Sequence, residues 1–397
     1  MKSSSAPAKR RLLLALPQSL YDLSSGAAVS TRLLVYQLAA AGWAVHALCT
    51  SATESGQLGL PPEGARWPAV CRTALPAGKA GWPPRWLIDD DGLQVELWEL
   101  PAGTRQQWAE QVGDAFDARI LQLLQELAPQ VYLSYGAEQR DHRLAQAARA
   151  AGSRVVLALH NLAYLQRPLP VHDALLMPSD WLAARYRGVS AQPFGTLLPP
   201  MWPADTAVSR HDPVFFTFFN PEAAKGAELV LRLAAALPEL PFLIVGGRAG
   251  PAAVAAQARA IGLDAAALTN VTLSPGGVPV RELLALTRAV LVPSLVEEAA
   301  GRVAAEALAN GIPALVSDSG ALPEIAQPGS QVLALRRAAN GLARVDAQAV
   351  EDWAAVLRCW GTEAGWQAAA EHAQASAGRW DAAAQTARAN AWFSGLL

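Results

Sequence analysis

The segment Asn310-Gly311-Ile312-Pro313 constrains this chain more than any other short stretch. A helical pattern that starts near Gly301 and runs to Ala309 must stop there, because Asn-Gly favours a left-handed helix end and Pro313 lacks the amide a helix needs. Yet Ala314 to Ser317 follow at once as a buried-type apolar run, and Ala289 to Pro293 precede the helix as another. Strand, loop, helix and strand in so short a span read as a parallel crossover unit. The loop carrying Glu297 and Glu298 then lies at the carboxyl edge of a parallel sheet, where open α/β sheets bind ligands.

The residue types at that edge suggest a chemistry. The first amides of a helix have no internal partner, and Gly301 has no side chain to keep an anion from them, so the helix start is a seat for a diphosphate. Glu298 stands just before that seat and Glu306 eight residues on. If every intervening residue were helical, the rise between them would be about 12 Å. Ionised carboxylates accept only, and vicinal sugar hydroxyls donate in pairs. Two glutamates bracketing a diphosphate therefore suit a ligand with a sugar on each side of it, which is the shape of a nucleotide sugar.

Glu298-x7-Glu306, with Gly301-Arg302-Val303 inside it and Ser317 to Glu324 (S-D-S-G-A-L-P-E) after it, resembles the signature of the GT4-type glycosyltransferases of the GT-B fold. The resemblance covers most of the carboxyl half and several points of the amino half. It implies that Glu306 holds the ribose hydroxyls, that Glu298 contacts the donor sugar, and that the amides of Gly301, Arg302 and Val303 hold the diphosphate. The chain departs from the family in having Ala299-Ala300 where Gly-Phe or Pro-Phe is usual, which puts the sugar selectivity of the loop in doubt.

A length of 397 residues suits two domains of similar size, each with its own core. A hydrophobic fraction of 52% with 17% charged residues describes a compact α/β chain rather than a disordered one. The formal net charge of −2 gives no global attraction to nucleic acid or to membranes. Cys49, Cys71 and Cys359 are far apart, without metal or redox spacing, and read as buried small hydrophobes in a reducing compartment. The amino end is charged, but its apolar run before Pro17 is too short for a signal-peptide core, and no run reaches membrane-spanning length. The expected location is the cytoplasm, with a peripheral place at the inner membrane face left open.

In the amino half, residues 1–10 read as a disordered lead-in, Leu12 to Leu16 as a first strand, 28–41 as a helix and Ala44 to Cys49 as a second strand. Ser24-Ser25-Gly26 lies where that first strand meets its helix, and resembles the glycine loop that opens the amino domain of GT4 enzymes. Arg85 to Leu100 reads as a hairpin around Asp91-Gly92, since that pair supplies the positive φ a tight turn needs. Trp82, Trp86 and Trp98 read chiefly as core residues, with stacking on an acceptor as the other reading. Trp108, Val112, Phe116, Ile120, Leu123, Leu124 and Leu127 have helical spacing within 106–127. Arg154 to Leu159 is a strand with His160 at its end; the resemblance implies a histidine here close to the donor sugar, where it would donate a hydrogen bond or stabilise charge. His46 and His172 lack that context and read as structural.

The carboxyl half opens with a strand over Val214 to Phe219, then Asn220 and a helix that begins at Lys225 and runs to Ala236. Lys225 would supply a mobile cation to the diphosphate, with Arg302 or Arg248 assisting. Asn220 stands where the family commonly has an arginine or a small residue. Gly246-Gly247 is not a G-x-G-x-x-G fingerprint, so a nicotinamide or flavin site is poorly supported.

The fold expected is GT-B: two Rossmann-like domains with parallel sheets facing across a central cleft. Residues 11–203 would form the acceptor domain, 204–379 the donor domain, and 380–397 a terminal helix crossing back. The implied activity moves a sugar from a nucleoside-diphosphate sugar to an acceptor hydroxyl or amine, a hexosyl transfer with retention at the anomeric carbon. The one Asp-x-Asp spacing, Asp89 to Asp91, lies in the Asp-Gly hairpin, and the expectation includes neither metal nor cofactor; the acceptor class stays open among glycan, lipid, protein and small molecule. Two alternatives carry over: a non-catalytic GT-B partner that only binds a nucleotide sugar, and a GT-B epimerase.

Overall fold

The computed structural model describes residues 9–54, 71–79, 82–101, 105–246, 251–339 and 341–397. They form two compact units: 1–177 with 185–200 and 383–397, and 178–184 with 201–382. Gly247 and Arg248 lie outside the described residues.

The first unit contains β1 (Arg11–Leu16), α1 (Gly26–Ala40), β2 (Ala44–Thr50), β3 (Cys71–Ala74), β4 (Arg85–Asp90), β5 (Leu93–Trp98), α2 (Arg105–Leu127), β6 (Val131–Ser134), α3 (Gln139–Ala150), β7 (Arg154–Ala158) and β8 (Ala174–Met177). After α4 (Asp180–Tyr186), β9 (Phe194–Thr196) completes a sheet of order β3-β4-β5-β2-β1-β6-β7-β8-β9. Its pairs from β5 to β9 are parallel, and β4 and β3 extend one edge antiparallel. Strands covered on both faces need no polar alternation, which is why β1, β6, β7 and β8 read as unbroken apolar runs. The β4–β5 hairpin turns on Asp91 at φ 50° and Gly92 at φ 81°, as Asp-Gly suggests. On α2, Trp108 and Phe116 pack at 5.2 Å between ring centroids, and Phe116 meets Trp98 at 5.5 Å. Trp98 is fully buried and Trp82 lies 4.8 Å from it, so this part of the tryptophan-rich stretch is core.

The second unit contains α5 (Pro203–Thr206), β10 (Phe215–Phe219), α6 (Ala227–Ala236), β11 (Phe242–Val245), α7 (Pro251–Ala260), β12 (Val271–Ser274), α8 (Val280–Leu284), β13 (Thr287–Val292), α9 (Arg302–Ala309), β14 (Ala314–Ser317), α10 (Leu322–Ala326), β15 (Gln331–Leu333), α11 (Ala347–Gly361) and α12 (Glu363–Ser376). Its sheet is wholly parallel, in the order β12-β11-β10-β13-β14-β15. Numbered from β10, that is the Rossmann order, and the strand order reverses between β10 and β13. Phe216, Phe218, Phe242, Leu233, Trp353 and Leu357 belong to the core between sheet and helices. The last helix, α13 (Ala382–Ser394), packs in the first unit: Asn390 accepts from Trp43 Nε1 at 2.8 Å, and Gln385 meets Gln37 at 3.3 Å.

Two expectations need correction. Lys225 does not open α6: it ends a 3-10 turn, Ala223–Lys225, and Gly226 at φ 86° separates that turn from the helix. Cys359 is exposed rather than buried, because the inward face of α11 is taken by Trp353, Ala354, Leu357 and Trp360. Cys49 is buried as expected, and burial pushes its thiol up to about 12. No helix among the described residues is long and apolar enough to cross a membrane.

Candidate functional site

The loops that follow β10 and β13 flank the point where the strand order reverses, and they are clasped by backbone. The amide of Leu295 donates to the carbonyl of Ala224 at 2.9 Å. A β-carbon on Gly226 would stand 2.1 Å from the carbonyl oxygen of Pro293, so only glycine permits this approach. Asn220 also has positive φ, 61°, and its amide donates to Val245 at 3.0 Å.

This clasp brings Lys225 to Glu298. Lys225 Nζ lies 2.6 Å from Glu298 Oε1, and Ser294 Oγ donates to the same oxygen at 2.7 Å. The backbone of Glu298 is fixed from the other side by the S-D-S-G segment. It forms a parallel bridge with Gly320, and the Ala321 amide donates to its carbonyl at 2.8 Å. Gly320, at φ 67°, could not carry a β-carbon, which would fall 2.3 Å from the Glu298 carbonyl oxygen. Ser317 and Ser319 each donate a hydroxyl to the carbonyl of Ser294, at 2.7 Å.

α9 begins one residue after the loop. Gly301 is its N-cap, at φ 66°, and the opening turn through Arg302 and Val303 carries amides that a helix leaves without internal acceptors. Four residues in, Glu306 is buried at 5% exposure, and its Oε1 lies 2.8 Å from Arg302 Nε. The helix packs its small residues Ala304, Ala305 and Ala307 inward, which lets it approach the sheet closely. Glu298 precedes α9 and lies outside it, so the all-helical 12 Å rise between the glutamates does not apply; Arg302 to Glu306 alone spans about 6 Å.

Glu324, the last residue of S-D-S-G-A-L-P-E, serves a different end. Its carboxylate accepts from the amides of Asp180 at 2.9 Å and Trp181 at 2.8 Å, the first of α4, while Ser179 Oγ accepts from Leu182 N and donates to the Ala299 carbonyl. A negative group at a helix start is favoured by the helix dipole.

In the first unit, His160 follows β7. Its Nε2 lies 3.3 Å from Thr31 Oγ1 of α1, and its ring meets Tyr135 edge-on at 5.6 Å. Burial pushes its pKa down to about 4, so the imidazole is neutral at neutral pH. Gly26 is the first residue of α1, behind the N-cap Ser25, and a β-carbon there would meet nothing within 4 Å. The loop before it is stiffened by Asp22, which accepts from Gln18 Nε2, Ser24 N and Oγ, and Glu54 N. His172 is satisfied at both nitrogens, by Pro170 O and Ser190 Oγ, and His46 sits 3.9 Å from the buried Glu96.

Of the residues singled out in the sequence, the structure brings Lys225, Glu298, Gly301, Arg302, Val303 and Glu306 together in the second unit around the β10–β13 reversal, with Asn220 at the end of β10. Gly26 and His160 belong to the first unit. Sequence reasoning did not assign Ser294, Gly226 or Gly320. Their signal was present as Pro-Ser before the glutamates, Lys-Gly after β10 and Ser-Asp-Ser-Gly after β14, but only the fold shows what those residues touch.

A parallel sheet with charged loops at its strand reversal belongs to the doubly wound class of α/β proteins, in which ligands bind at that reversal. Within that class, residues 202–360 match the family model described as Glycosyl transferases group 1. No curated protein matches the chain in sequence. Solved structures match it nearly end to end. Sucrose-phosphate synthase from Thermosynechococcus elongatus is 17% identical, with a TM-score of 0.64, over 98% of this chain and 99% of that one. HepE of Anabaena, in complex with UDP and glucose, is 15% identical, with a TM-score of 0.64, over 97% and 100%. The catalytic domain of starch synthase IV from Arabidopsis thaliana, bound to ADP and acarbose, is 13% identical, with a TM-score of 0.65, over 96% and 99%. Residues 202–360 of the second unit thus match a group 1 glycosyltransferase model, and the chain has the GT-B fold, as the resemblance of its Glu298-x7-Glu306 signature implied.

Proposed function

We propose that this protein is a retaining, metal-independent hexosyltransferase that uses a nucleoside-diphosphate sugar and no cofactor, and that it acts in the cytoplasm. The observation that carries the reading is the meeting of Lys225 with Glu298 beside the start of α9, with the buried Glu306 one turn into that helix. A cation, helix-start amides and two carboxylates are what a diphosphate flanked by two polyols requires. HepE, whose structure holds UDP and glucose, and starch synthase IV, whose structure holds ADP, support the choice of a nucleoside diphosphate.

In the reaction, the bond from the anomeric carbon to the diphosphate breaks, and the acceptor oxygen or nitrogen bonds to that carbon on the same face. The acceptor proton passes to the departing phosphate oxygen. Lys225 and the amides of the first turn of α9 stabilise the charge on the leaving group, in place of a metal. Glu306 holds the ribose hydroxyls and Glu298 the donor sugar, with Arg302 orienting Glu306. His160, kept neutral by burial, donates a hydrogen bond to the sugar, and Gly26 leaves its backbone accessible on the acceptor side.

The test is turnover of a panel of nucleotide sugars, followed as release of nucleoside diphosphate with and without acceptors. Glu306→Ala is expected to weaken donor binding sharply, and His160→Ala to lower turnover more than donor affinity. Unchanged kinetics in both variants would remove the assignment.

A further inference from the structure

We infer that Ser294 is a positioning residue for Glu298, which holds the carboxylate in place when Lys225 leaves it for a phosphate; this rests on the donor-site reading above. Ser294 is fully buried, and its hydroxyl donates to Glu298 Oε1 at 2.7 Å. Lys225 Nζ reaches the same oxygen at 2.6 Å. Among the described residues no donor meets Oε2, so that oxygen remains for a ligand hydroxyl. The serine is itself anchored, since its carbonyl accepts from the hydroxyls of Ser317 and Ser319.

A single cation cannot serve Glu298 and a diphosphate equally. Once Lys225 turns toward phosphate oxygens, the carboxylate loses its ionic partner, and a free glutamate side chain would sample several rotamers. Ser294 then supplies the remaining hydrogen bond to Oε1, from a buried side chain on an anchored backbone. The sugar is thereby met by an oxygen already in place, which matters most in the transition state.

Ser294→Ala, Glu298→Ala and the double variant test this, each measured for kcat and KM with the nucleotide sugar and for Kd with the matching nucleoside diphosphate. The expected result is a loss of about tenfold in kcat/KM for Ser294→Ala, most of it in kcat, with the diphosphate Kd changed less than twofold. Glu298→Ala should lose more, and the double variant no more than Glu298→Ala alone. Wild-type kinetics in Ser294→Ala, a parallel loss of diphosphate affinity, or a further loss in the double variant would overturn the inference while leaving the transferase reading intact. Absence of any nucleotide-sugar turnover by the wild type, or full activity in Glu298→Ala, would overturn the transferase reading and the inference with it.

Discussion

A β-carbon on Gly226 would lie 2.1 Å from the carbonyl oxygen of Pro293, and this missing atom is what lets the loop after β10 rest on the loop after β13. Gly226→Ala introduces that clash at a positive φ of 86°, which an L side chain adopts only at a cost. The variant should lose about 3 kcal/mol of stability in urea unfolding. It should also lose diphosphate affinity, because Lys225 is carried on the displaced loop.

Glu298 and Lys225 neutralise each other in the free protein, so a diphosphate must separate them. Glu298→Gln keeps an acceptor for Ser294 but removes the charge that competes for Lys225. Calorimetric titration with the nucleoside diphosphate should show affinity raised by about threefold, the scale of a partly exposed ion pair. Turnover of the nucleotide sugar should fall in the same variant, whereas Lys225→Ala should weaken both.

His160 gives the chain a dependence on acid. Its pKa in the folded state is about 4, against 6.5 for a free histidine. Between those values the unfolded chain binds a proton that the folded chain does not, so stability falls as pH drops through that window. Comparing unfolding at pH 7 and pH 4.5, wild type should lose on the order of 2 kcal/mol more than His160→Gln.

Glu324 accepts two amides at the start of α4, at 2.9 and 2.8 Å. Glu324→Ala should cost about 1–2 kcal/mol, seen as a lower denaturant midpoint at unchanged slope.

The elements of the second unit were legible where local chemistry and global fold agree. Asn310-Gly311 and Pro313 end α9 and start β14 as expected, since Gly311 has φ 67° and the apolar run from Ala314 admits only a buried strand. The Asp91-Gly92 hairpin is of the same kind. Lys225 was found but misplaced by one structural step, because Gly226 looks like part of a helix in sequence and becomes a hinge only through its approach to Pro293. Short elements such as β3, β9 and α8 carry too few residues for a periodicity and are held by their neighbours. Ser294, Gly320 and Glu324 owe their places to contacts across many residues of sequence, and no local pattern encodes such partners.

The most direct test of the donor site is thermal unfolding with UDP, GDP, ADP, dTDP and CMP, for wild type and for Glu306→Ala, each against its own ligand-free baseline. A ligand at a hundred times its Kd adds about 2.7 kcal/mol, well above detection. The account predicts a shift of wild type with one nucleoside diphosphate, lost in Glu306→Ala. No shift with any nucleotide, or a shift that survives in Glu306→Ala, would contradict it.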